Sequence, residues 1–182
     1  QGIYEHYAAI ARETGFPLII YNIPGRTASN IAPETVARMA ELEHIVGIKE
    51  ACGNIDQIAH VIARCPTDFD VLSGDDSMTL PLLALGGKGC ISTTGNVAPR
   101  PMCEIVRLFQ KGDIAGARAV HYRLLPLFDI LFCETNPIPV KEALGMMGSL
   151  AIGSLMAVIQ DPPSLDSASR AYEALRAVRD PQ

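Results

Sequence analysis

Apolar positions over the first 98 residues alternate between stretches of helical period and short runs of aliphatic and β-branched residues. The spacing predicts a helix from about Tyr4 to Glu13, stopped at Thr14-Gly15, then a strand from Pro17 to Asn22. Pro33-Glu34 opens a helix to about Leu42, since proline and an acid both suit a first turn. A strand follows from Ile45 to Lys49, and Asn54 is placed to cap a helix running to about Arg64. Phe69 to Ser73 reads as a third strand, Ser73-Gly74-Asp75-Asp76 as a turn into a helix ending near Leu85, and Lys88 to Ser92 as a fourth strand. All four strands are continuous apolar runs, which predicts burial on both faces. Beyond Asn96 the period is helical throughout, near Pro101 to Gln110, Ile114 to Phe132, Val140 to Met147 and Leu165 to Arg179. Ser164 is a candidate N-cap for the last of these.

Strands alternating with helices predict parallel βα units, and four units suit either half of an eight-stranded barrel or a small doubly wound sheet. No GxGxxG follows the first strand, so a dinucleotide-binding sheet has little support. The division expected is a βα region over 1–98 and a helical region over 99–182.

Composition narrows the classes of function. With 182 residues, 48% of them hydrophobic, the chain can bury a sizeable core, and the composition argues against disorder. A net charge of -5, with the signs interspersed, leaves no footprint for nucleic acid. No apolar run reaches the roughly 20 residues that span a bilayer, and no leader pattern opens the chain, so the expectation is a soluble, cytoplasmic protein. Five cysteines, widely spaced and without a CxxC pair, read as reduced thiols rather than a disulfide or zinc framework. The chain starts at Gln1, directly on a helical pattern, and reads as the remainder of something longer.

In a parallel barrel the reacting side chains stand at the carboxyl ends of the strands. Those ends are Tyr21-Asn22, Lys49-Glu50, Ser73-Gly74 and Ile91-Ser92. Side chains two apart share a face, and neighbouring strands lie about 4.8 Å apart, so Tyr21 and Lys49 are expected to meet. Burial in an apolar barrel mouth favours a free amine able to attack a carbonyl, and a phenol beside it can move protons. Position alone reads Lys49 more readily as a surface lysine and Tyr21 as an amphipathic rim residue; it is their place together, at one level of adjacent strands, that points to chemistry. Arg26 follows Pro24-Gly25, a tight turn in this reading, and either clamps a carboxylate above the strand ends or is a solvent-exposed loop arginine.

The remaining polar groups point away from other chemistries. Asp75 and Asp76 are more readily helix caps than metal ligands, because no histidine falls at a strand end to join them. Two acids there also argue against a phosphorylated substrate. Gly86-Gly87-Lys88-Gly89 precedes a strand, so it reads as a turn rather than a phosphate loop. Cys52 and Cys90 read as small buried thiols.

Taken in order, Tyr21-Asn22-Ile23-Pro24-Gly25-Arg26-Thr27, Gly47-Ile48-Lys49-Glu50-Ala51, Leu72-Ser73-Gly74-Asp75-Asp76 and Asn136-Pro137-Ile138-Pro139-Val140-Lys141 resemble the dihydrodipicolinate synthase (4-hydroxy-tetrahydrodipicolinate synthase) family. The resemblance runs to about Met147. It implies an α/β fold that is the C-terminal half of a (β/α)8 TIM barrel, strands 5–8, followed by a C-terminal helical extension. It also implies an imine between Lys49 and pyruvate, proton relay by Tyr21, and binding of the aspartate semialdehyde carboxylate by Arg26. The backbone of Gly74 and Ile91 would line the substrate pocket. The product would be 4-hydroxy-tetrahydrodipicolinate, on the route to lysine, with no metal or organic cofactor. Family members form homo-dimers or tetramers.

Two departures accompany the resemblance. The family carries four further βα units, with a Thr-Thr segment, a tyrosine donated across a dimer interface and a lysine feedback site. The tail after Leu150 finds little to match. Two other readings therefore stand beside the synthase: an N-acetylneuraminate lyase-like or sugar-acid aldolase, against which Arg26 argues, and a catalytically idle half barrel.

Overall fold

The computed structural model describes residues 1–148. Helix α1 (Gly2–Thr14) ends where Gly15 turns left-handed, with φ 62° and its N–H donating to Ala11 O at 3.0 Å. Glycine reaches that conformation without a Cβ penalty. Strand β1 (Leu18–Asn22) follows. The Pro24-Gly25 segment is a four-residue helix, α2 (Pro24–Thr27), rather than the expected tight turn. Proline at a first helical position makes this inexpensive, because its missing N–H would have had no partner there.

Helix α3 (Pro33–Ala40) leads to β2 (Ile45–Glu50), and α4 (Ile55–Arg64) is capped as expected by Asn54. Its Oδ1 accepts from Asp56 N at 3.0 Å and Gln57 N at 3.1 Å. After β3 (Asp70–Ser73) a short 3-10 turn at Asp76–Met78 precedes α5 (Thr79–Ala84). Asp75, one of the two aspartates between which the sequence leaves the capping role open, occupies the N-cap position of that turn but makes no side-chain cap bond. Strand β4 (Gly89–Cys90) is shorter than predicted. Backbone bonds from Lys88 N to Val71 O (2.9 Å) and from Ile91 N to Ser73 O (2.8 Å) carry its pairing one residue further at each end.

The strands form one parallel sheet in the order β1-β2-β3-β4, which is the succession of parallel βα units read from the sequence. One face is sealed. Ile20, Ile48 and Val71 from the strands pack with Ala11, Val36, Met39, Ile58, Val61 and Leu82 from α1, α3, α4 and α5. The other face corrects the expectation of burial on both sides. Ile19 is 45% exposed and Tyr21 41%, because among the described residues of this unit the helices cover only one side of the sheet.

By contact the chain divides into a unit Gln1–Ile91 and a second unit starting at Ser92, ahead of the 98/99 boundary expected from the pattern. The reason is a 3-10 turn, Thr94–Asn96, that contacts α6 (Pro99–Gln110), α7 (Ile114–Leu131) and α8 (Ile138–Met146) and so belongs with them. Within that unit α6 lies along α7, and Leu124, Leu127, Leu131, Ile105 and Ala143 are buried. Asp113 caps α7 by accepting from Gly116 N at 2.8 Å. The predicted helix Leu165 to Arg179, the Ser164 cap and the tail after Leu150 lie outside the described residues.

Candidate active site

The register of the first two strands pairs Ile19 with Gly47, Tyr21 with Lys49 and Asn22 with Glu50. Alternation then sends Tyr21 and Lys49 to the open face and Asn22 and Glu50 to the sealed one. Lys49 is partly buried, and its Nζ stands 4.1 Å from the centroid of the Tyr21 ring. The amine and the tyrosine expected from the pattern therefore meet, and they meet through the ring face, a cation–π contact.

Gly74 packs against the Lys49 stem. A Cβ there would lie 3.1 Å from Lys49 Cε and 2.7 Å from Ala51 Cβ, so only glycine lets β3 pass so close to the lysine stem. Gly74 N donates to Glu50 O at 2.7 Å. Ile91 joins through its backbone bond to Ser73 and leaves its side chain 40% exposed. Arg26 is exposed in the last turn of α2, the element that leaves β1 at its carboxyl end.

Asp75 enters the site electrostatically. Burial first, then the neighbouring Asp76 carboxylate, raise its pKa, and Lys49 acts in the opposite direction.

The largest feature that strand-end reasoning left unassigned is on the sealed face. Glu50 is 1% exposed and Asn22 1%, and Asn22 Nδ2 donates to Glu50 Oε1 at 2.9 Å and Oε2 at 3.1 Å. Cys52 N adds a bond to Oε1 at 3.0 Å. Asn22 Nδ2 also reaches Asn30 Oδ1 at 3.0 Å, while Asn22 Oδ1 accepts from Ile31 N at 3.1 Å. Asn30 and Gln57 exchange amide bonds of 2.7 and 3.1 Å. Burial raises the Glu50 pKa, and the bonds from Asn22 and Cys52 work against that rise. The signal for Asn22 and Glu50 was present, as polar residues closing two apolar strands; Asn30 and Gln57 come from a loop and a helix and carried none.

Burial, reinforced by Glu50, pushes the Cys52 thiol up to about 11, which fits the reading of an unactivated thiol. A cleft of about 300 Å³ opens beside β1, lined by His6 and Tyr7 of α1 and by Tyr21, Thr27 and Ser29. Tyr21 N donates there to Tyr7 Oη at 3.5 Å. Among the described residues no helix is long and apolar enough to cross a membrane, and no group of three His, Cys, Asp or Glu is placed to hold a metal ion.

A parallel βα sheet with an amine, a phenol and a closely packed glycine gathered at its strand ends has the architecture of the βα-barrel enzymes. The chain belongs to the dihydrodipicolinate synthetase family, whose pattern it matches over residues 1–158. It is 55% identical over 151 residues to the 4-hydroxy-tetrahydrodipicolinate synthase of Archaeoglobus fulgidus, covering 83% of this chain and 52% of that protein. To the enzyme of the same name from Thermodesulfovibrio yellowstonii it is 56% identical over 150 residues, 82% of this chain and 52% of that one. The crystal structure of dihydrodipicolinate synthase from Thermotoga maritima superposes with a TM-score of 0.89 at 40% identity, covering 98% of this chain and 61% of that one. The chain spans about half the length of the curated relatives it matches.

Proposed function

We propose that this chain carries the imine-forming site of a 4-hydroxy-tetrahydrodipicolinate synthase, with pyruvate as the first substrate and L-aspartate 4-semialdehyde as the second. The observation that carries the reading is the in-register pairing of Tyr21 with Lys49 at the strand ends, amine against ring, with Gly74 close against the lysine stem. Family membership at more than 50% identity to synthases supports the choice of reaction. In this reading the four strands are the second half of an eight-stranded barrel. The order of elements supports that placing: after β4 the described residues continue as helices. Strand edges β1 and β4 and the open face of the sheet support assembly with further protein, a homo-oligomer in the family's manner.

The chemistry follows from the groups present. The Lys49 amine attacks C2 of pyruvate to give a carbinolamine, which loses water to an imine. Loss of a methyl proton gives the enamine, whose carbon attacks the aldehyde of the semialdehyde and forms the new carbon–carbon bond. Tyr21 moves protons in the dehydration, and Arg26 holds the semialdehyde carboxylate as a bidentate donor. The substrate amine then adds to the imine carbon and displaces Lys49, closing the ring and freeing the enzyme.

Borohydride reduction in the presence of pyruvate, followed by peptide mass mapping, tests this. The expected result is a reduced adduct on Lys49 that is absent from Lys49→Ala. A folded wild-type chain without the adduct sinks the proposal for this chain and leaves the idle half barrel. Turnover of N-acetylneuraminate in place of aspartate semialdehyde moves the assignment to the lyase.

A further inference from the structure

We propose that Glu50 is a positioning residue which, through Asn22, fixes the Tyr21 ring against the Lys49 amine; the inference rests on the catalytic reading of that pair. Tyr21 and Lys49 are each followed directly by one member of the Asn22–Glu50 bond, on strands already in register. Backbone bonds hold neighbouring strands at a fixed spacing, yet the twist between paired strands differs by tens of degrees from one sheet to another, so backbone pairing alone does not set it. A side-chain bond one residue beyond the reacting pair, at the last paired position of β1, removes that freedom where it matters. Ala51 N to Asn22 O (2.9 Å) and Cys52 N to Glu50 Oε1 (3.0 Å) bind the chain leaving β2 to the same point.

Stability alone does not explain a carboxylate here. Glu50 is 1% exposed, and the partners shown for it are neutral amide donors rather than a cation. A buried carboxylate held in this way costs more than an apolar residue of the same volume. What a carboxylate offers is two oxygens that both accept, and here Asn22 Nδ2 spans both while Cys52 N adds a second bond to Oε1. Glutamine has one acceptor and an NH2 group. With its oxygen at the Oε1 position glutamine keeps the bonds from Asn22 Nδ2 and Cys52 N but sets its NH2 against Asn22 Nδ2 at the Oε2 position, and in the other orientation it loses both Oε1 bonds, so the clamp is weakened in either case. The second ring of bonds, Asn22 Oδ1 to Ile31 N and Asn22 Nδ2 to Asn30 Oδ1, holds the Asn22 amide in one orientation and transmits any loss directly to β1.

Two readouts on the 182-residue chain test the proposal. The first is the NMR shift of the Lys49 ε-methylene protons, which the Tyr21 ring displaces upfield from above. The displacement is expected to vanish in Tyr21→Phe only in part, since phenylalanine keeps a ring, and to be lost in Glu50→Gln. The second is the rate of borohydride-trapped imine formation at saturating pyruvate. Glu50→Gln is expected to lower it about tenfold, a misplacement effect well within the hundredfold that an ångström can cause. In a Tyr21→Phe background the same change should lower the rate far less, because the positioned phenol is already gone. A Glu50→Gln protein that keeps the full upfield displacement overturns the proposal, as does a full tenfold loss added to that of Tyr21→Phe. Asn22→Ala, which removes the donor and leaves the carboxylate, must reproduce the loss of displacement and serves if Glu50→Gln does not fold. Absence of any wild-type adduct would defeat the catalytic reading alone, since the shift still reports the clamp.

Discussion

Gly74→Ala probes the packing on which Lys49 rests. An added Cβ meets Ala51 Cβ at 2.7 Å, Lys49 Cε at 3.1 Å and Glu50 O at 3.2 Å. Non-bonded carbons settle at about 3.5–4.0 Å, so the Ala51 contact is short by roughly 1 Å. Ala51 cannot swing aside, because its Cβ is fixed to a backbone whose N–H is bonded to Asn22 O at 2.9 Å. The end of β2 or β3 has to move. Overpacking of this kind costs about 1–3 kcal/mol, which at about 2–4 °C per kcal/mol for a chain of this size lowers Tm by about 2–12 °C. The lysine stem is flexible and yields, but yielding carries the amine away from the tyrosine ring. A displacement on the order of 1 Å costs up to about 100-fold in rate. Thermal unfolding followed by circular dichroism reads the first effect, and the rate of trapped imine with pyruvate reads the second. An alanine variant with wild-type Tm and a wild-type trapping rate refutes the close approach of β3 to Lys49 and the role given to Gly74.

Two further outcomes follow from a helix cap and a buried histidine. Asn54→Ala removes the bonds to Asp56 N and Gln57 N and should cost about 1 kcal/mol in urea unfolding, whereas Asn54→Gly should cost only a few tenths. His121, 8% exposed between the rings of Tyr122 and Phe128, has its pKa lowered from 6.5 by burial, so it contributes stability that is full above pH 6.5 and is lost as pH falls through its folded value. Denaturant midpoints measured from pH 7.5 down to 5 should therefore fall less in His121→Phe than in the wild type; equal slopes would remove His121 as the source.

Much of the fold was legible because local signals and tertiary outcome agree. Gly15, Asn54 and the proline-initiated helices mark their boundaries through backbone chemistry that acts within a few residues. Pro24-Gly25 misled for a related reason, since the same dipeptide suits a turn or a first helical turn and only the following Arg26-Thr27 backbone decides between them. The strand runs misled in another way. Continuous apolar residues record what a sheet is built to bury, not what covers it, and here Ile19 and Tyr21 face outward.

The sequence by itself determined the candidate chemistry: which residue types close which strands, and through ordered motifs the family to which the chain belongs. Period-two alternation was enough to put Tyr21 and Lys49 on one face once their strands were adjacent. Only the tertiary structure decided that the lysine meets the face of the tyrosine ring, that Asp75 lies within its field, and that Gly74, just past β3, packs close against the lysine stem. It alone revealed the Asn22–Glu50 clamp, because a hydrogen bond between residues 28 positions apart depends on strand register and loop closure. Those are global quantities, set by the packing of α3 and α4 against the sheet, and no window of neighbouring residues contains them.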